Sequence, residues 1–344
     1  TGRVTEVAEG RDELGLLVGE FPLDPVKPIL DGDTIRVRGL DATMRLLGVD
    51  TEETFKHEKE RRLYEKGWED YVRVLRGDSK RPVKMATPVG DEAKKWAEKF
   101  FSKSKTVRVE RDHPGEVRDF YGRYLAYVYG RIDGEWVNYN VEVVRAGYSP
   151  YFQKYGRSRR FHDAFVRAQE EARAAKRGIW DPTKQHYPDY EERLKWWDAR
   201  GAAIDEFERR SGDKPDWIQL TRVDALERLE QHVDAYVHLL ALVGEVVVPP
   251  PEKEKMPIVV KLSKTRTRDF PLVFFDKQVF EECGIGKSKG EYVEVNGRVT
   301  KYKDRLQIVI TKAGQVKTYG TNDLGLPDED AKEPGAEVED ALVR

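Results

Sequence analysis

The sequence predicts an α+β chain that contains β-barrels, arranged as two modules with helices between them. Three observations carry this. At 344 residues the chain is long for one domain. Residues 21–182 interleave short alternating runs with helix-period runs. Residues 236–319 read as short strands separated by glycines, the pattern of a small barrel. Residues 183–235 are mostly helical in pattern, and 1–20 are polar without periodicity, which reads as a leader. Residues 320–344 are acidic and poor in aromatics, which predicts a disordered tail.

In order along the chain, "TIRVRGL" and "ATMRLLGV" read as two strands about a short turn. "DEAKKWAEKFFSKSK" places Ala93, Trp96, Ala97, Phe100 and Phe101 on one helical face. "TVRVERD" alternates as a strand. "RYLAYVYGRIDGEWVNYN" is a hairpin turning at Asp133–Gly134. "NVEVVRAGY" is a short helix ended by Gly147. "RFHDAFVRAQEEARAAKRGIW" is an amphipathic helix stopped at Gly178, after which Trp180 docks. In the second module, "VHLLALVGEVV", "PIVVKLS", "FPLVFFD" and "EYVEVNGRVTKYKDRLQIVIT" are the strand candidates.

Composition narrows the partners. The formal net charge is −2, yet residues 21–182 and 251–318 each carry roughly +6, cancelled by the acidic connector and tail. Two basic modules suit a polyanion, although two ordinary solvated faces give the same charge. A single cysteine, Cys283, excludes an intramolecular disulfide and a thiolate metal site. No stretch is long and apolar enough to span a membrane. The chain opens "TGRVTEVAEG" without a Met, as though processed, so secretion or the cell envelope ranks ahead of the cytoplasm, and a monomer ahead of an oligomer.

The chemistry concentrates in "ILDGDTIRV" and "RLLGVDTEET". Asp33 and Asp50 each end a strand or open a turn, and neighbouring strands would bring both carboxylates together. Oxygen ligands with no His or Cys nearby point to Ca²⁺ or Mg²⁺, not zinc. The backbone carbonyl of Thr51 is a natural third ligand. Glu53, three residues past Asp50, stands where a carboxylate can take a proton from water. Arg45 and Arg123 supply two guanidinium forks, which bind phosphate oxygens bidentately and favour the extra charge of a pentacoordinate phosphorane.

"DGDTIRV", "RLLGVDTEET", "DFYGRYLAYVY", "VNYNVEVVRAGY" and "FHDAFVRAQEEARAAKRGIW" together resemble the staphylococcal-nuclease-like (thermonuclease) family over about residues 25–182. The resemblance implies a five-stranded OB-type barrel with three helices. It also implies hydrolysis of DNA and RNA with little sequence preference, dependent on one Ca²⁺ ion, with Mg²⁺ or Mn²⁺ ranking behind it. The ends left would be 3′-phosphate and 5′-hydroxyl. The metal aspartates fall on Asp33 and Asp50, the carbonyl ligand on Thr51, the base on Glu53 and the arginines on Arg45 and Arg123.

The chain departs from the family pattern in places. Glu52 replaces a proline, which loosens the turn and puts a further negative charge near the metal. Phe120 replaces a basic residue before Tyr121, itself a candidate for stacking or hydroxyl contact with a nucleotide. Tyr155 aligns with one substrate-facing tyrosine; the other position is Gln153, with Tyr151 as a stand-in. An insertion of about 25 residues, at about 55–89, separates the base from the next helix. "KHEKERRLYEKGWEDYVRVL" predicts an extra helix, followed by a basic loop. Two readings stand: a lid touching substrate through Arg76, Lys80, Arg81 and Lys84, or a surface elaboration.

The second module resembles OB-fold nucleic-acid-binding domains in "GEYVEVNGRVTKYKDRLQIVIT". Such grooves bind single strands by stacking along a basic track. The candidates are Tyr292, Tyr302, Arg266, Arg268, Lys301 and Lys303; the alternative is a barrel that only packs. The six histidines lack ligand spacing. The expected function is therefore a metal-dependent nuclease. Its alternatives are a binding scaffold without catalysis and a structure-selective, repair-type nuclease.

Overall fold

A computed structural model describes residues 2–8, 15–79, 82–114, 123–222, 224–253, 255–263 and 269–319. The acidic segment 320–344, expected to be disordered, lies outside the described residues. The chain divides into two compact units. Among the described residues, the first comprises those up to 114 and 123–198, and the second 199–319.

The first unit is mixed α+β. Strands β1 (Leu17–Pro22), β2 (Ile29–Asp31), β3 (Thr34–Ile35) and β4 (Met44–Leu46) come first. Helices α1 (Glu58–Glu65), α2 (Trp68–Arg76) and α3 (Pro88–Phe101) follow, then β5 (Thr106–Glu110), β6 (Tyr124–Ile132), β7 (Glu135–Asn138), α4 (Tyr139–Arg145) and α5 (His162–Ala174). The sheet order is β1-β5-β6-β4, with β7 paired to β6 and β2–β3 a separate hairpin. β1 starts at Leu17, inside the stretch read as a leader, and Ala8 is buried with its amide donating to Glu110 at 3.0 Å.

The two strand runs predicted around position 40 are shorter than expected. β3 is two residues long, and β4 pairs in parallel with β6 instead of with β3. Between them the chain turns through Gly39 at φ 95°, a conformation that breaks a ladder. The Asp133–Gly134 turn stands as predicted, with φ of 51° and 87°, the pair of positive values a tight hairpin needs. The insertion forms two helices where the pattern predicted one, because Gly67 at φ 144° interrupts them.

α3 shows how the sequence starts a helix beside the site. Thr87 caps it, accepting from the Gly90 amide at 3.0 Å, and Pro88 occupies the first turn, where no amide is required. Ala93, Ala97 and Phe101 recur on its buried face. Asn140 in α4 locks β4 to β6: its amide donates to the carbonyls of Leu47 and Ala126, each at 2.9 Å, and its oxygen accepts from Val128. Leu46, Val49, Val109, Val128, Val144 and Phe165 fill the core beneath.

Helix α6 (Tyr190–Ser211) belongs to the first unit up to Asp198 and to the second thereafter. The second unit adds β8 (Trp217–Gln219), α7 (Ala225–Gln231), β9 (Tyr236–Val247), β10 (Ile258–Ser263), β11 (Phe270–Phe274), α8 (Lys277–Cys283), β12 (Tyr292–Tyr302), β13 (Arg305–Val309) and β14 (Val316–Thr318). The pairings β9–β10, β10–β11, β11–β13, β13–β12 and β12–β9 return to their starting strand; only β11–β13 is parallel. Val237, Leu239, Val260, Leu272, Val293 and Ile308 are buried within that circuit. Among the described residues no helix is long and apolar enough to cross a membrane.

Candidate active site

The carboxylates that the sequence singled out meet at one end of the first unit. Gly32 makes the approach possible, because a Cβ there would lie 2.8 Å from Thr51 Cγ2 and 2.9 Å from Ala93 Cβ. With hydrogen in its place, the β2–β3 hairpin presses Asp33 against the Thr51 turn, whose amide donates to Asp33 Oδ2 at 3.0 Å. The amide of Asp50 donates to Ser149 Oγ at 2.9 Å. Gly90 plays the same part from the other side. A Cβ on it would stand 1.9 Å from the carbonyl oxygen of Glu53, so only glycine lets the first turn of α3 reach this backbone.

Electrostatics follow from the crowding. Burial, then the neighbouring Asp31, Asp50 and Glu53, push the Asp33 carboxyl well above its ordinary range, with Lys84 opposing. Burial also acts against ionised Asp50, but Lys84 and Arg45 outweigh it and hold that carboxyl below its usual value. Lys84 Nζ lies 2.8 Å from Asp50 Oδ1, and Arg45 Nη2 lies 3.9 Å away. Asp31 is likewise held low against burial, by Asp33, Thr34 and Lys56. Lys56 Nζ bridges Asp31 Oδ2 at 3.0 Å and Glu53 Oε2 at 3.1 Å. Glu53 is half-buried.

Arg45 reaches the site from β4, its guanidinium 4.9 Å from the centre of the Phe152 ring and 5.7 Å from that of Tyr155. Arg123 stands two residues before Leu125, which pairs with Arg45. It is half-buried immediately ahead of β6.

The remaining candidates separate clearly. Tyr155 is 38% exposed, with the Arg45 guanidinium 5.7 Å and the Lys154 ammonium 5.5 Å from the centre of its ring. Tyr151, expected as a stand-in for a substrate-facing tyrosine, is 1% exposed. It stacks on Phe165 at 4.7 Å, and its hydroxyl bonds to His162 and to the Ser158 amide, so it is a core residue. Lys84 points into the carboxylate cluster. Arg76, expected on a lid, pairs with Asp189 at 3.0 Å and Glu192 at 3.5 Å instead, because α2 packs onto the chain after 182. Tyr121, Lys80, Arg81, Arg266 and Arg268 lie outside the described residues.

In the second unit, Tyr292 is 4% exposed, packed with Ile204, Phe207 and Leu240 beneath Arg200, so its ring is not open for stacking. Tyr302 is 60% exposed, with the Lys303 ammonium 5.4 Å from its ring. Lys301 is ion-paired with Glu230.

Glu52, expected to loosen the turn, is instead anchored within the fold. It is buried and accepts from Thr87, from the Tyr187 amide at 2.6 Å and from the Tyr190 hydroxyl at 2.7 Å. Sequence reasoning missed Lys56, Tyr187 and Tyr190. Lys56 was findable as a cation three residues after Glu53, whereas nothing in the spacing ties 187 or 190 to 52.

The donor set suits a hard cation. Asp31 Oδ1 and Thr51 Oγ1 are buried with no hydrogen-bond partner among the described residues. Beside them, Asp33 is driven towards its protonated form by its neighbours. These are the marks of a site that wants positive charge, and every donor is oxygen. Among the described residues no group of three or more His, Cys, Asp or Glu side chains gathers at metal-binding range. The residues that the sequence singled out to hold such an ion are two carboxylates, Asp33 and Asp50, with the Thr51 carbonyl.

This fold and site define an α+β protein with a carboxylate–arginine centre. The family model described as "Staphylococcal nuclease homologue" matches residues 43–182. The chain is 30% identical over 161 residues to the thermonuclease of Staphylococcus intermedius, covering 45% of this chain and 74% of that protein. It is 32% identical over 158 residues to an uncharacterized protein of Methanocaldococcus jannaschii, covering 45% of this chain and 70% of that one. It is 31% identical over 153 residues to the endonuclease YncB of Bacillus subtilis, covering 44% of this chain and 58% of that enzyme. The chain thus spans less than two thirds of the Bacillus relative and somewhat more of the other two. It belongs to the staphylococcal nuclease family.

Proposed function

We propose that the protein is a nuclease that hydrolyses phosphodiester bonds of DNA or RNA at the Asp33–Asp50–Glu53 centre, with Ca²⁺ as its ion. The observation that carries this reading is geometric: Lys56 bridges Asp31 and Glu53, Asp33 accepts from the Thr51 amide, and Asp50 faces Lys84 at 2.8 Å and the Arg45 guanidinium at 3.9 Å. Asp33, Asp50 and the Thr51 carbonyl would hold the ion, which when bound supplies positive charge to a phosphate oxygen. Glu53, half-buried, accepts a proton from the attacking water. Arg45 and Arg123 bind the phosphate oxygens and favour the added charge of the transition state. The aromatic bed of Phe152 and Tyr155 orients Arg45, and the exposed ring of Tyr155 receives a base or sugar. Water adds to phosphorus as the P–O5′ bond breaks, and the departing 5′-oxygen takes a proton from solvent, leaving 3′-phosphate and 5′-hydroxyl ends.

The second unit is read as an OB-type barrel that helps hold a strand. Its closed circuit of five strand pairings supports this, with β9, β10, β11, β13 and β12 in ring order, as do the exposed Tyr302 and Tyr236.

The test is cleavage of labelled single-stranded DNA, double-stranded DNA and RNA with Ca²⁺, with Mg²⁺ and with chelator, alongside Glu53→Gln. Cleavage that requires Ca²⁺ and falls by about 10²–10⁴-fold in Glu53→Gln is expected. Binding without cleavage under every ion would replace this reading with that of a non-catalytic nucleic-acid-binding protein.

A further inference from the structure

We propose that Glu52 is a positioning residue, whose buried carboxylate, pinned by Thr87, Tyr187 and Tyr190, fixes the turn that presents Thr51 and Glu53. The proposal rests on the reading of Glu53 as the base. Glu52 lies between the two residues whose placement matters most, and it is 1% exposed. Its Oε1 accepts from the Tyr187 amide and the Tyr190 hydroxyl, and its Oε2 from the Thr87 hydroxyl. The Glu53 side chain turns the other way, towards Lys56. One side chain anchors the turn inward while the next works outward.

Thr87 ties the anchor to the helix. Its hydroxyl donates to Glu52 and accepts from the Gly90 amide, and its own amide donates to the Glu53 carbonyl at 3.1 Å. The side chain of one residue in the turn and the backbone of the next are thus held by one threonine at the start of α3. The far wall is equally built. Tyr187 OH bonds to both the amide and the carbonyl of Met85, each at 3.1 Å. Arg193 donates to the Val83 carbonyl at 2.6 Å, its guanidinium 4.3 Å from the centre of the Tyr187 ring. Residues 187–193 therefore lace down the segment that carries Thr87.

A buried carboxylate is costly without donors, and a hydrophobic side chain would fill the same space at less cost. Three convergent donors around Glu52 are what a geometric role requires. Where the family pattern has a proline to stiffen this turn, this chain has a hydrogen-bonded clamp. Two of the clamp's members, Tyr187 and Tyr190, come from beyond the family-matched segment.

The experiment uses the full chain with Ca²⁺ and a single-stranded DNA oligonucleotide, comparing wild type, Glu52→Ala, Glu52→Gln and Tyr190→Phe. It reads kcat and KM, and separately the hydrogen exchange of the amides of residues 51–54. In Glu52→Ala we expect kcat to fall about 10–100-fold with KM little changed, the scale of a misplaced reacting group, and those amides to exchange at least about 10-fold faster. Tyr190→Phe should move both readouts in the same direction by less, and it carries the test if Glu52→Ala does not fold. Glu52→Gln keeps the acceptor for both tyrosines and gives Thr87 a donor, so both readouts should return to near wild type. Unchanged exchange at 51–54, or an equal kcat loss in Glu52→Gln, would overturn the proposal. A wild-type protein that cuts nothing would refute the nuclease reading alone, since exchange still decides whether the clamp holds the turn.

Discussion

Asp33 is the residue at which folding and chemistry oppose each other. Burial and three neighbouring carboxylates raise its pKa in the folded chain above the 3.8 of a free side chain. A raised carboxyl stabilises the fold fully below its unfolded pKa, and this contribution is lost as pH climbs through the folded value. Without metal, the cluster is therefore under increasing electrostatic strain as pH rises towards neutrality. Asp33→Asn should melt higher than wild type in chelator, by a margin that widens with rising pH; if Ca²⁺ binds as proposed, wild type should gain an upward shift in Tm with Ca²⁺ that the variant loses. Thermal melts at several pH values with Ca²⁺ or chelator check both; an Asn variant that melts lower at neutral pH would contradict the account.

At the scale of elements, the insertion joins the body of the first unit through its own core. Tyr71, Met85, Val89, Ile179, Tyr187 and Tyr190 are buried together, with Leu63, Tyr64, Trp68 and Leu75 packed against them. The Tyr71 hydroxyl donates to the Ala86 carbonyl at 2.7 Å, and Arg76 is paired to Asp189 and Glu192. This is the construction of a brace between α2 and the start of α6. Arg76→Ala should lower stability by about 1–3 kcal/mol, because it leaves the buried Asp189 with one partner fewer. It should leave KM for a DNA oligonucleotide unchanged. Urea unfolding and steady-state kinetics measure the two, and a rise in KM with unchanged stability would restore the lid.

For the whole molecule, each unit has its own core, and two of the exposed aromatics of the second unit stand on strands of its circuit, while Phe275 follows β11. Tyr236 on β9 is 66% exposed and Tyr302 on β12 is 60% exposed. A base stacked on such a ring contributes about 1–3 kcal/mol. If the second unit binds a strand as proposed, replacing both with alanine should weaken binding of a long single strand at least several-fold, while kcat on a short substrate stays put. Fluorescence anisotropy with long and short oligonucleotides separates the effects. Equal affinities for the long strand would make the second unit a packing module.

The sequence by itself singled out the candidates for the chemistry, in order: Asp33, Arg45, Asp50, Thr51, Glu53 and Arg123. Each sits in a short motif whose side-chain types and neighbours are local facts. It also determined the apolar face of α3, the Asp133–Gly134 hairpin and the α5 helix, because turns and periodicity act within a few residues. The tertiary structure alone decided which aromatics face outward. Tyr151 and Tyr292 read like Tyr155 and Tyr302 in one dimension, and only packing against Phe165 or Phe207 separates them. It alone decided that Glu52, 135 residues from Tyr187, is an anchor and not a loose charge. It alone turned Arg76 from substrate towards Asp189. The physical reason is the same in each case: a side chain's role depends on which distant groups satisfy it, and burial and hydrogen bonding are set by the folded surroundings, whereas covalent order is set by the chain.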